Sequence, residues 1–279
     1  MIIRCWGARG SIPVSGEEYI KYGGDTTCLE IRTKDDEIIV IDAGSGIRRL
    51  GHRLISEKRF NYTMIFTHAH WDHIMGFPFF NPIYFKKTHI TMFGCPFAQT
   101  SIKHMISKIM APPNFPVDFE KIRADIDYHE SCSRQFSIKS MTITPIPLNH
   151  PNQGLGYKFV EDGKSFVFLT DNELTFEHSG GTDFQEYRDF AAYSDLLIHD
   201  AEYTEEEYKK TKTWGHSVYK DALRLALEAK VKKFGLFHHN QERSDKGIDD
   251  LVENCREIIE NNHAELECFA LYQGMEIEL

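Results

Sequence analysis

Six consecutive residues, His68-Ala69-His70-Trp71-Asp72-His73, constrain this chain more than any other feature. They follow the apolar run Tyr62-Thr63-Met64-Ile65-Phe66-Thr67, which reads as a strand, so four metal-type side chains arrive together where a strand ends. The chain has fourteen histidines in 279 residues, about one in twenty, and three within six positions is far denser than that. His68 and His70 project the same way from an extended backbone, while Asp72 and His73 come round the next turn and address a second point. Imidazole nitrogen with carboxylate oxygen suits Zn²⁺, Fe or Mn²⁺, and no neighbouring thiolate asks for a closed structural zinc site. A polar loop capping the strand would need one such histidine, not this set.

The rest of the chain supplies a scaffold. Apolar, β-branched runs predict strands over 2–6, 28–33, 38–41, 62–67, 90–93, 141–145, 156–160, 165–170, 196–199, 233–237 and 266–271. Asp162-Gly163 between two of them signals a hairpin. Helical periodicity falls over 47–55, 100–110, 217–229 and 248–260, with Ser217 as the cap candidate of the third. Paired strands with helices between their clusters imply mixed sheets with helices on the outer faces. A single domain over 1–279 is expected, its two halves dividing near 140. The excursion over 77–130, broken by Pro112-Pro113-Asn114-Phe115-Pro116, is a candidate lid or dimer surface, or ordinary packing.

Other ligand types stand singly at strand ends: His150, Asp171 and His238, the last followed by His239. Loops at the ends of rigid strands are where scaffolds present chemistry. Each residue taken alone would read as a satisfied core or surface group; beside the cluster, the three complete two coordination spheres.

These patterns resemble the metallo-β-lactamase superfamily. The segment 68–73 matches its HxHxDH signature, and Ile41-Asp42-Ala43-Gly44-Ser45-Gly46 is similar to the acidic, glycine-rich turn that precedes it there. The resemblance implies an α+β fold, a four-layer αβ/βα sandwich with the site along one edge of two facing sheets. It implies two divalent metal ions, zinc foremost, with manganese or iron as alternatives. One would take His68, His70 and His150 and the other Asp72, His73 and His238, with Asp171 bridging and Asp42 orienting a ligand histidine. Either of His238 and His239 fits the ligand position. His238 is preferred because it directly follows the strand, which leaves His239 for substrate.

Two such metals imply a bridging hydroxide and hydrolysis. His199-Asp200-Ala201-Glu202-Tyr203 and Trp214-Gly215-His216-Ser217 resemble paired motifs of the tRNase Z-like phosphodiesterase branch, with Asp200 where that branch has Glu. By that resemblance His216 is the general acid, held protonated by Asp200, and Asp72 belongs to the catalytic set. Trp6-Gly7-Ala8-Arg9-Gly10-Ser11 also resembles the branch's first loop, so that Arg9 would meet an anionic substrate. The expected substrate is a small cyclic phosphodiester, a cyclic nucleotide or cyclic ribose phosphate. The alternatives are a tRNA 3′-processing endoribonuclease and a non-catalytic ligand sensor on the same fold. The family suggests a homodimer.

Composition sets the outer limits. The formal net charge of −10 weighs against a broad nucleic-acid footprint. The opening residues carry no leader pattern and no long apolar stretch, so a cytoplasmic protein without a membrane span is expected. Its six scattered cysteines read as reduced thiols.

Overall fold

The computed structural model describes residues 1–94, 101–129 and 133–279. Its strands are β1 (Ile2–Gly7), β2 (Cys28–Arg32), β3 (Ile38–Ile41), β4 (Asn61–Ile65), β5 (His89–Phe93), β6 (Asp125–His129), β7 (Phe136–Ile138), β8 (Met141–Pro147), β9 (Leu155–Glu161), β10 (Lys164–Leu169), β11 (Leu196–Asp200), β12 (Lys233–Phe237), β13 (Glu267–Ala270) and β14 (Glu276–Glu278). Its helices are α1 (Ile47–Ser56), α2 (Trp71–Ile74), α3 (Ile102–Ile109), α4 (Phe184–Ala191), α5 (Glu205–Thr211), α6 (Tyr219–Glu228) and α7 (Asp245–Asn261).

Among the described residues two seven-stranded mixed sheets form, ordered β14-β1-β2-β3-β4-β5-β6 and β13-β12-β11-β10-β9-β8-β7. Alternation along the strands explains why they stack. Ile39 and Ile41 of β3 enter the core between the sheets, with Phe166 and Phe168 of β10 opposite. Ile38 and Val40 face outward against α1 residues Ile47, Leu50 and Leu54. Val167 and Leu169 turn to the other outer face, against Tyr187 of α4 and Ala222, Leu223 and Ala226 of α6. A strand of period two that is buried on both faces has no polar side, which is why β3 reads as an unbroken apolar run. Three apolar layers between four structural ones make the expected αβ/βα sandwich.

The hairpin signal also holds. Glu161 pairs with Lys164, and both turn residues take left-handed backbone, Asp162 at φ 50° and Gly163 at φ 75°. Ser217 does not cap α6. Val218 holds that position, and the Ser217 hydroxyl instead donates to the Asn172 carbonyl and accepts from the Leu174 N–H at 3.1 Å. The excursion over 77–130 contributes β5, α3 and β6 to the edge of the first sheet; Thr100, at the start of the expected helix, and Glu130 lie outside the described residues. Cys5, Cys28, Cys255 and Cys268 are free and buried, whereas Cys95 and Cys132 lie outside the described residues. No helix among the described residues is long and apolar enough to cross a membrane.

Candidate metal centre

The carboxyl ends of β3, β4, β8, β10, β11 and β12 converge on one edge, and each is followed by a polar residue of the site. Three of these residues take left-handed backbone: Asp42 at φ 60°, Asp171 at φ 49° and His238 at φ 56°. Such a conformation costs a non-glycine residue energy and persists where the surroundings dictate it. Each therefore leaves its strand by a sharp turn that throws the side chain inward.

Two ligand groupings result. His68, His70, His150 and Asp171 each offer one donor atom, all within 4.8 Å of one another, and so do Asp72, His73, Asp171 and His238. Asp171 belongs to both. The imidazole tautomers are set by partners behind the rings. His73 Nδ1 donates to Asp42 at 2.8 Å, His150 Nδ1 to the Gly215 carbonyl at 3.0 Å, and His238 Nδ1 to Glu202 at 2.9 Å. His68 Nδ1 donates to the Thr67 hydroxyl at 3.0 Å, which itself donates to Asp42. A ring that donates through Nδ1 keeps its Nε2 lone pair for a cation.

The fit to a metal is visible in two atoms. Nε2 of His68 and of His73 are buried without a hydrogen-bond partner, 3.5 and 3.1 Å from the Asp171 carboxylate. Buried polar atoms are rarely left unpaired, and lone pairs converging with carboxylates are what a divalent cation satisfies. Burial works to raise the Asp171 and Asp72 carboxyls, but the neighbouring histidines hold both well below the usual carboxylate range. The donor set is nitrogen and oxygen throughout, as expected from 68–73.

The N-terminal loop closes over this centre. The Ser11 N–H donates to Asp72 at 2.9 Å, and Gly10 sits so near His238 that a Cβ there would lie 2.3 Å from the ring. Arg9, expected to meet substrate, does not. It is fully buried, and its guanidinium is used on the carbonyls of Gly23, Asn240 and Arg243. His239 is likewise no substrate group. Burial pushes its pKa down to about 3, and its Nε2 donates to the Leu271 carbonyl at 2.8 Å, away from the cluster. Of the adjacent pair, His238 is the one that faces the other ligand types.

Beside the centre, His216 Nδ1 donates to Asp200 at 2.7 Å, and its ring stacks on His238 at 4.7 Å and meets His150 at 5.3 Å. Burial alone would lower its pKa, but Glu202 and Asp200 push it up to about 9. The two carboxylates thus favour the imidazolium form. Asp200, Glu202, His216 and His238 also lie within 4.8 Å of one another. Here the atoms turned to the carboxylates are the Nδ1 protons, which suits a relay of hydrogen bonds.

Sequence reasoning missed Glu202 and Glu173. Each stands two residues beyond a recognised carboxylate, Asp200 and Asp171, and that proximity was the available signal. Glu173 is fully buried and accepts from the Gly215 and Thr213 N–H groups at 2.9 and 2.8 Å, from Tyr208 and from His178. It thereby fixes the loop that carries His216. Glu173→Ala leaves the buried Gly215 N–H unpaired and is expected to cost about 2–3 kcal/mol in a urea titration, with a parallel loss of turnover; glutamine should restore most of both. An alanine variant as stable as the parent would mean that the loop holds itself.

With this geometry in place, comparison with known proteins is direct. Residues 38–239, spanning every ligand-type residue of the centre, match the β-lactamase superfamily domain. Ribonuclease Z of Haloferax volcanii is 23% identical over 294 residues, covering 88% of this chain and 87% of its own. The solved metallo-β-lactamase fold protein YhfI from Bacillus subtilis superposes with a TM-score of 0.73 at 16% identity, covering 100% and 98% of the two chains. The short form of human tRNase Z gives 0.66 at 18% identity, covering 100% and 99%. These likenesses, and a family match over well more than half its length, establish that the chain belongs to the β-lactamase superfamily, as one of its metal-dependent hydrolases.

Proposed function

We propose that this chain is a phosphodiesterase with two divalent metal ions, zinc by preference, acting on a small cyclic phosphodiester. His68, His70 and His150 would hold one ion and Asp72, His73 and His238 the other, with Asp171 shared. The observation that carries the reading is His216, whose Nδ1 donates to Asp200 at 2.7 Å and whose ring packs against rings from both ligand groupings. When bound, the metals supply positive charge to the phosphoryl oxygens and lower the pKa of water at the site. The remaining steps belong to the chain. Asp42, Glu202, Thr67 and the Gly215 carbonyl hold the ligand rings in register. As water adds to phosphorus and the P–O bond to the departing oxygen breaks, His216 gives its Nε2 proton to that oxygen. Asp200 steadies the imidazole while its charge changes, so Asp200 acts through His216 as a positioning residue.

A small substrate accords with a net charge of −10, which repels polyanions at long range. The second reading, RNA cleavage, is favoured by relatives named ribonuclease Z, at 20–24% identity. A hydrolysis panel with Zn²⁺ or Mn²⁺ decides between them: 2′,3′- and 3′,5′-cyclic nucleotides, cyclic ribose phosphates, pre-tRNA and a β-lactam. Turnover of a cyclic phosphate is the expected result. Rapid pre-tRNA cleavage with inert cyclic phosphates would reverse the order, and β-lactam hydrolysis alone would remove the phosphodiester altogether.

A further inference from the structure

Next to the metal centre lies a groove of about 890 Å³ that the catalytic scheme does not use. That is ample for a small ligand. One wall comes from the ligand segment itself. Ala69 and Trp71 line the groove, and they alternate with His68, His70 and Asp72, so the groove begins one residue from the metal-type side chains. Asn152 lines it too, with its amide 3.5 Å from His70 Nε2, and His70 Nδ1 is 2.8 Å from His150 Nε2. Whatever fills the groove is therefore within bonding continuity of a group lying on the centre.

Its chemistry is that of ring recognition. Trp71 is 76% exposed although Asp72 and His73 beside it are buried, and Phe79 on the same lining is 53% exposed. Phe79 and Phe115 meet edge to face with ring centroids 5.4 Å apart. The indole and the phenyl pair offer π-surfaces on which a planar heterocycle stacks with little regard to its identity. Lys108, on α3 at the same lining, adds a donor for the acceptor atoms along a base edge. A cyclic sugar phosphate would leave all of these aromatic surfaces in water.

We propose that this groove is the nucleobase pocket of a mononucleotide, with Trp71, Phe79 and Phe115 as its stacking surfaces. The inference rests on the phosphodiester reading for the position of the phosphate, and it selects cyclic nucleotides over cyclic ribose phosphates.

Binding of adenosine 5′-monophosphate and of ribose 5-phosphate to the metal-loaded protein tests it, followed by tryptophan fluorescence and by calorimetry. The nucleotide should quench saturably and bind at least about tenfold tighter than the sugar phosphate. Trp71→Phe should remove most of the quenching while keeping most of the calorimetric affinity, which assigns the signal. Phe115→Ala, with Phe115→Leu as the gentler change, should shrink the nucleotide preference to within about threefold at the parent's metal content. Equal affinity for the two ligands would overturn the proposal, as would a preference unchanged in both Phe115 variants. So would tighter binding of octyl phosphate, which marks a groove for alkyl chains, or about hundredfold tighter binding of a short oligoribonucleotide, which marks an RNA track. Neither ligand needs to be hydrolysed. Nucleotide preference without turnover of cyclic nucleotides would sink the phosphodiester reading alone, and turnover without preference would sink the pocket alone.

Discussion

Alanine at Asp171 is expected to strip the protein of metal and to abolish measurable hydrolysis, a loss of at least about 10⁴-fold. The carboxylate is fully buried and is the one side chain common to both ligand groupings. It stands 3.1 Å from His73 Nε2, 3.3 Å from His238 Nε2 and 3.5 Å from His68 Nε2. Its removal leaves the grouping of His68, His70 and His150 with no carboxylate and the other with Asp72 alone. Elemental analysis should fall from two ions per chain to one or none. Metal added to the parent at about a hundred times its Kd should stabilise the fold by about 2.7 kcal/mol, and so raise Tm by roughly 5–10 °C. The variant should show little of that rise. Because the backbone here is left-handed, Asp171→Asn is the companion variant, as asparagine tolerates that conformation better than alanine. Two ions retained in both variants would show that Asp171 is not shared.

Alanine at His216 should behave differently. Turnover of an unactivated phosphodiester is expected to fall by about 10²–10⁴-fold while both metals stay in place. The two effects separate because His216 donates to Asp200 through Nδ1 and touches the ligand rings only by packing. A substrate whose leaving group is p-nitrophenolate needs no proton and should lose far less. That dependence on the leaving group is the signature of an acid. Metal lost together with activity would make His216 a structural or ligating residue, and equal losses on both substrates would deny it the proton.

The central strands and the centre were largely legible in the sequence for one reason. Strands buried on both faces, such as β3, are apolar throughout, and a cluster such as 68–73 serves no core. What escaped was set by distant partners. Strand β6, Asp125-Ile126-Asp127-Tyr128-His129, is polar and half-exposed at a sheet edge, so its composition looks like a loop. Strands β7 and β14 are three residues each and exist through pairing with β8 and β1. Arg9 read as a substrate contact because the carbonyls that bury it, at Asn240 and Arg243, lie more than 230 residues away. Glu173 carries no motif, Glu202 lies within the 199–203 motif without a role assigned to it, and only the folded loops show which N–H groups and imidazoles they hold.

Gly215 faces two ways, its N–H into Glu173 and its carbonyl onto the His150 imidazole, and at its φ of +91° a Cβ would lie 2.1 Å from that ring. The loop bearing His216 therefore cannot shift without releasing His150. On the proposed scheme, loading of an ion at His150 and placement of the proton donor are two readings of one equilibrium, coupled through a single residue. By thermodynamic reciprocity, anything that orders the donor loop raises the affinity for the ion, and to the same degree the ion orders the loop.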